Sequence, residues 1–232
     1  MNASFYTAAR GAMTQQDRMN VISNNLANVN TIGFKAKNAV FSDLMHCVMH
    51  GQENVTHGTG VKLERTTTDF TSGGMTAAAE GGYNYYIDGD GFFMLKDQIT
   101  GETSYTRAGN FSLSVKGDEI NLINDNRKQV LDENKNPIQL KDGKLSAKPG
   151  IFSFQNTEDM QAAGFSEYTP IAKNGQPQLA EGVRLVENYL ELSNVDLAQE
   201  MSNMIITSRA YSYALKMVQT SDEVQQTING LR

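Results

Sequence analysis

The chain has no tryptophan, one cysteine, three histidines and four prolines in 232 residues, and each shortage closes off a class of explanation. Cys47 has no second cysteine with which to form an internal disulfide. All three histidines fall between residues 46 and 57, so a Ser/His/Asp triad would have to be built around that one stretch. No apolar run approaches the roughly 18 residues that cross a bilayer as a helix, so no stable membrane insertion is expected. Cationic charge is also scarce, with 20 Lys and Arg against 26 Asp and Glu, for a net charge of −6. A nucleic-acid partner needs a cationic footprint to neutralise phosphates, and none is expected here. The opening MNASFYTAARGAMTQQDR lacks the basic-then-apolar layout of a secretory signal. The default expectation is a cytoplasmic protein, or one exported without a cleaved signal.

What the chain does have is helical periodicity at both ends. Over residues 4–30, Phe5, Ala8, Ala12, Gln15, Met19, Ile22, Leu26 and Val29 follow alternating steps of three and four. All but Gln15 are apolar, which predicts a helix with one heptad seam. Residues 193–231 predict a second, longer helix, with Ser193 and Asp196 read as a capping-box-like start. Leu197, Met201, Met204, Tyr211, Leu215 and Val218 make its first seam. Ala210, Ala214, Met217, Val224, Ile228 and Leu231 make a second, offset by one residue and therefore about 100° around the helix. One short N-terminal helix cannot cover both faces.

Between the ends the period changes. Residues 51–82 are rich in Gly, Thr and Ala and read as extended connecting chain. From Tyr83 to Glu187 the segments are short: Tyr85–Ile87, Phe92–Leu95, Thr103–Thr106, Phe111–Val115, Glu119–Ile123 and Ile151–Phe154. Turn residues separate them, as at Lys116-Gly117-Asp118 and Asn134–Pro137, which predicts an antiparallel β domain.

Candidate chemistry is thin. His46 and His50 could share a metal if they lay on a helix, but no carboxylate in register completes a site, and the end of a helical extension is the plainer reading. Asp88-Gly89-Asp90-Gly91 and Asp132–Asn136 each begin like a calcium loop. The first runs into Phe92 and Phe93, and the second has Pro137 where glycine is needed, so both read as tight turns. No phosphate-binding G-x-x-x-x-G-K-[ST] or nucleophile-elbow G-x-S-x-G is present. No enzyme activity, cofactor or metal is expected.

Four motifs carry a family resemblance, in order along nearly the whole chain. Ser23–Lys35 (SNNLANVNTIGFK) resembles the N-terminal signature of flagellar rod and hook proteins, and Ser193–Met201 (SNVDLAQEM), continuing to Arg209-Ala210-Tyr211, resembles their C-terminal signature. Ile87–Phe93 (IDGDGFF) and Tyr105–Phe111 (YTRAGNF) are similar to the core of the same family. Val40–Leu44 and Gly58–Val61 resemble the distal-rod form, while a short linker between them leaves the proximal-rod form open.

The resemblance implies a structural rod subunit of the basal body that assembles helically through its terminal helices and transmits torque from motor to hook. Its partners would be copies of itself, other flagellar rod and hook axial proteins, and the flagellar export apparatus. A hook or hook-associated subunit, or a soluble coiled-coil adaptor, is the alternative. The expected fold class is α+β, with long N- and C-terminal helices pairing as a coiled coil and a central, mostly antiparallel β domain. The expected divisions are 1–45 (N-terminal helix), 46–82 (linker), 83–187 (β domain) and 188–232 (C-terminal helix). The expected assembly residues are Phe5, Met19, Ile22, Leu26 and Val29 from the first helix. From the second they are Leu197, Met201, Ile205, Tyr211, Leu215, Val218, Val224, Ile228 and Leu231.

Overall fold

The computed structural model describes residues 3–48, 56–78, 82–116, 119–141 and 144–231. It divides into two compact units, neither continuous in sequence. One comprises Met1–Ala27, Lys37–Thr67 and Asp196–Arg232, and the other Asn28–Ala36 and Thr68–Val195.

The first unit holds the two α-helices of the described residues, α1 (Ala3–Ala27) and α2 (Leu197–Gly230). It also holds the antiparallel strand pairs Lys37–Asp43 with Val61–Thr68 and His46–Val48 with Thr56–Gly58. Residues 46–48 are therefore strand rather than helical extension, and His50 lies outside the described residues. The start of α2 is also shifted. Asp196, in extended backbone, is the N-cap, and its carboxylate accepts from Ala198 N at 2.9 Å and Gln199 N at 3.1 Å. Ser193 accepts instead from Val195 N at 3.3 Å, before the helix begins.

The expected coiled-coil pairing of the two helices is corrected. A coiled coil buries its apolar seam, yet Leu197, Met201 and Leu215 of α2 stay open to solvent. The helices do touch, but the residues of α2 that become buried are Thr207 and Ser221. Met204, Ala210, Tyr211, Ala214 and Val218 flank them, partly buried. In α1 the buried positions are Ala12, Thr14, Ile22 and Asn25. The fully buried residues of α2 are thus both hydroxyl side chains, while Leu197, Met201 and Leu215 are left outside.

The second unit is predominantly β. Its main sheet has 13 strands, and every described pairing in it is antiparallel. The strand Phe92–Lys96 lies at its centre, paired with Thr103–Thr106, Gln129–Val130 and Ile151–Ser153. Its sequence FFML is apolar at successive positions because both faces are covered. Phe93 and Leu95 enter one core with Ile87, Phe111, Leu122 and Ile138. Phe92 and Met94 enter another with Tyr105, Leu131, Phe152 and Tyr168. The Asp132–Asn136 stretch is a tight turn, in which the Asp132 carboxylate accepts from Asn134 N and Asn136 N, each at 2.8 Å. The buried Glu167 carboxylate is satisfied by Ser104, Asn124 and Lys128.

Candidate assembly surface and buried junction

Six of the expected assembly residues on α2, and Leu231 at its C-cap, have large apolar area uncovered. Leu197, Met201, Ile205, Leu215, Val224, Ile228 and Leu231 keep between 40% and 84% of their surface exposed. The others are less available: Ile22 is buried, and Phe5, Met19, Leu26, Val29, Tyr211 and Val218 are partly buried. Sequence reasoning missed Ile206 and Tyr213, which are exposed as well. With Met217, Val224 and Ile228 they recur at steps of seven and four, which is one face of a helix. Two seams fitted separately had hidden this longer stripe.

A polar contact joins α1 to α2 at Asn25. Asn25 donates to Glu200 Oε1 at 3.2 Å and to Lys37 O at 2.9 Å, and its own carbonyl accepts from Lys37 N at 2.9 Å. Thr14 donates toward Arg10 O at 2.9 Å and Val61 O at 3.2 Å. Thr207 Oγ1 and one oxygen of Glu200 are buried with no hydrogen-bond partner.

In the second unit, the segments leading out of α1 and into α2 converge on a buried ionic cluster. Lys35 lies in the N-terminal signature, Arg107 in YTRAGNF, and Glu191 just before the C-terminal signature. Lys35 Nζ reaches Glu191 Oε1 at 2.8 Å and Thr71 O at 2.7 Å, with both charged side chains fully buried. Arg107 Nη1 stands 3.6 Å from Glu191 Oε2, and its guanidinium lies 5.5 Å from the centre of the Phe92 ring. Burial pushes the Lys35 ammonium below its usual range, and the Glu191 charge and hydrogen bond oppose that. Burial likewise pushes the Tyr168 phenol up, reinforced by Glu191.

Backbone contacts complete the junction. Gly33 N donates to Glu191 O at 2.9 Å, and Asn194 Oδ1 accepts from Ala36 N at 2.7 Å. Asn194 Nδ2 donates to Asp69 O at 2.9 Å. Gly33 sits at φ +64°, and a Cβ there would come within 2.5 Å of Ala108 N. Only glycine lets the N-terminal segment pass this close to the YTRAGNF loop.

An antiparallel β domain, two terminal helices and an uncovered apolar stripe along the longer helix define a structural protein with surface left for helix packing. Comparison with known proteins gives the family. The model described as "Flagella basal body rod protein" matches residues 5–35. "Flagellar hook protein FlgE/F/G D1 domain" matches 86–161, and "Flagellar basal body rod FlgEFG protein C-terminal" matches 186–231. The chain is 30% identical over 265 residues to flagellar basal-body rod protein FlgG of Buchnera aphidicola subsp. Acyrthosiphon pisum, covering 100% of both chains. It is 29% identical over 269 residues to FlgG of Bacillus subtilis, again with 100% of each covered. It is also 29% identical over 251 residues to FlgF of Mesorhizobium japonicum, covering 100% of this chain and 98% of that one. The chain belongs to the flagellar basal-body rod protein family and is a structural subunit of the rod. No helix among its described residues is long and apolar enough to cross a membrane.

Proposed function

We propose that the chain is built into the rod through the open apolar face of α2, which packs against terminal helices of neighbouring copies and of other rod and hook axial subunits. It reaches that place through the flagellar export apparatus, and the assembled helices carry torque from motor to hook. The supporting observation is the exposure of Ile205, Leu215, Val224 and Ile228 on a helix whose fully buried residues are Thr207 and Ser221. Full burial of such a side chain is worth about 1.5–3 kcal/mol, so several half-exposed ones together supply association energy of useful size. Phe5, Met19, Leu26 and Val29, partly buried, take a smaller share. The Val40–Leu44 and Gly58–Val61 motifs favour the distal part of the rod over the proximal.

Deleting residues 215–232 tests this reading. The truncated chain should keep its β signal in circular dichroism and a protease-resistant core near residues 83–187, but form no rods. Normal rod incorporation by that truncation overturns the proposal.

A further inference from the structure

Every strand of the 13-stranded sheet lies between Tyr83 and Glu187, so that sheet is complete without the rest of its unit. Three further segments of the unit, 28–36, 68–77 and 189–195, are held to one another. Tyr189–Glu191 pairs antiparallel with Met75–Ala77 in a two-stranded sheet of its own. Leu192 N donates to Gly74 O at 3.0 Å, and Asp69 N donates to Ala36 O at 2.8 Å. Gly33 N is bonded to Glu191 O, and the Asn194 amide bridges Ala36 N and Asp69 O. Together the three segments form a strap beside the sheet. It contains the stretch that follows α1 and the stretch that precedes α2.

The sheet and the strap are held by different forces. The sheet closes on an apolar core in which Phe93, Leu95, Leu122 and Val130 are fully buried. The strap closes on charge, with Lys35 and Glu191 fully buried and Arg107 sharing the same anion. Desolvating buried ions offsets much of what their pairing returns. The pairing is also incomplete, since Glu191 Oε2 and Arg107 Nε and Nη1 make no hydrogen bond. A two-stranded ribbon alone is marginal in water. Opening the strap would return Lys35 and Glu191 to water together, with loss of the Phe34 and Phe70 packing. Arg107 would keep Asp90, 4.0 Å away.

We propose that this strap is a separate cooperative element, which opens and recloses as one piece while the sheet stays folded. Opening releases the stretches that lead out of α1 and into α2 without unfolding the β domain. A subunit fitting into a rod can redirect those stretches by opening the strap alone. That use rests on the reading of the chain as an assembling subunit, whereas the opening is a property of the free chain.

Native-state hydrogen exchange on the free, full-length chain tests this. The amides of Gly33, Asp69 and Leu192 report the strap, and those of Tyr85, Leu131 and Ile138 report the sheet. The strap amides should exchange together, faster than the sheet amides and with a weaker dependence on urea, because less surface is exposed. Leu122→Ala, in the sheet core, should speed the sheet amides by about thirtyfold or more and leave the strap amides unchanged. Glu191→Gln should speed both sets, because it weakens the closed state against every open one. Strap amides that exchange at the sheet rate, and quicken equally in Leu122→Ala, overturn the proposal. So do Gly33, Asp69 and Leu192 exchanging at unrelated rates, which is fraying segment by segment. Should Leu122→Ala fail to fold, the urea dependence of the unaltered chain decides alone. A chain that shows the strap opening but never forms rods refutes the assembly reading and not this one.

Discussion

Glu191 faces two cations inside the protein, yet one of its oxygens has no hydrogen bond. Removing one partner of such a group costs more than the pair contributes, because a buried charge is left without its counter-ion. Glu191→Gln would leave Lys35 and Arg107 buried without their shared anion, so it should destabilise the protein by about 3–5 kcal/mol, read as a lower urea midpoint. Gly33→Ala should also destabilise, since the added methyl meets the backbone at Ala108 and the φ of +64° is disfavoured for alanine. The signatures that carry Lys35, Arg107 and Glu191 are legible in the sequence; their meeting is not. Lys35 and Glu191 are 156 residues apart, and no local pattern records a contact at that separation. Arg107 read as part of a family motif, and only the fold shows that it stacks on Phe92.

Among the elements, α2 was the easiest to find and the easiest to misread. Its periodicity is real, but Ser193 resembles a cap as closely as Asp196 does. Position decides between them, because Asn194 is held by Ala36 and Asp69, which keeps residues 193–195 out of the helix. Asp196→Ala should cost about 1 kcal/mol and lower the helical signal in circular dichroism, while Ser193→Ala should leave it nearly unchanged. The coiled-coil expectation failed for a related reason. Heptad spacing reports which residues share a face, but whether that face finds a partner depends on what lies opposite, and the hydrogen bond across to α2 is made by Asn25. The strands Thr103–Thr106 and Glu119–Ile123 match their expected segments residue for residue, since alternation and turn chemistry are both local, whereas Lys37–Asp43, Val61–Thr68, Gln161–Gly164 and Arg184–Glu187 were not read.

Across the whole molecule the response to alkali follows from buried phenols. Tyr85, Tyr105 and Tyr168 are all pushed up, chiefly by burial. The unfolded chain ionises these groups near pH 10, and the folded chain only above that. Their contribution to stability is thus full below about pH 10 and is lost as pH rises toward the folded values. Lys35, pushed down, works oppositely: its contribution is present above the usual lysine value and falls away as pH drops through its folded value. Above the ordinary lysine value the Lys35 contribution no longer changes while the tyrosine contributions fall, so the urea midpoint should drop there. Tyr168→Phe should make that drop shallower. The division of the chain into units was not legible, because composition changes smoothly across 28–36 and 68–74 while the contacts do not.

The discontinuity of the first unit also sets a clock. Its pieces are the beginning, an early-middle stretch and the last part of the chain, Asp196–Arg232. A polypeptide delivered N-terminus first presents α1 long before α2 exists beside it, and the whole second unit can close in the interval. The sticky stripe arrives last. A chain with its ends arranged in this order completes its second unit before the open apolar stripe of α2 emerges.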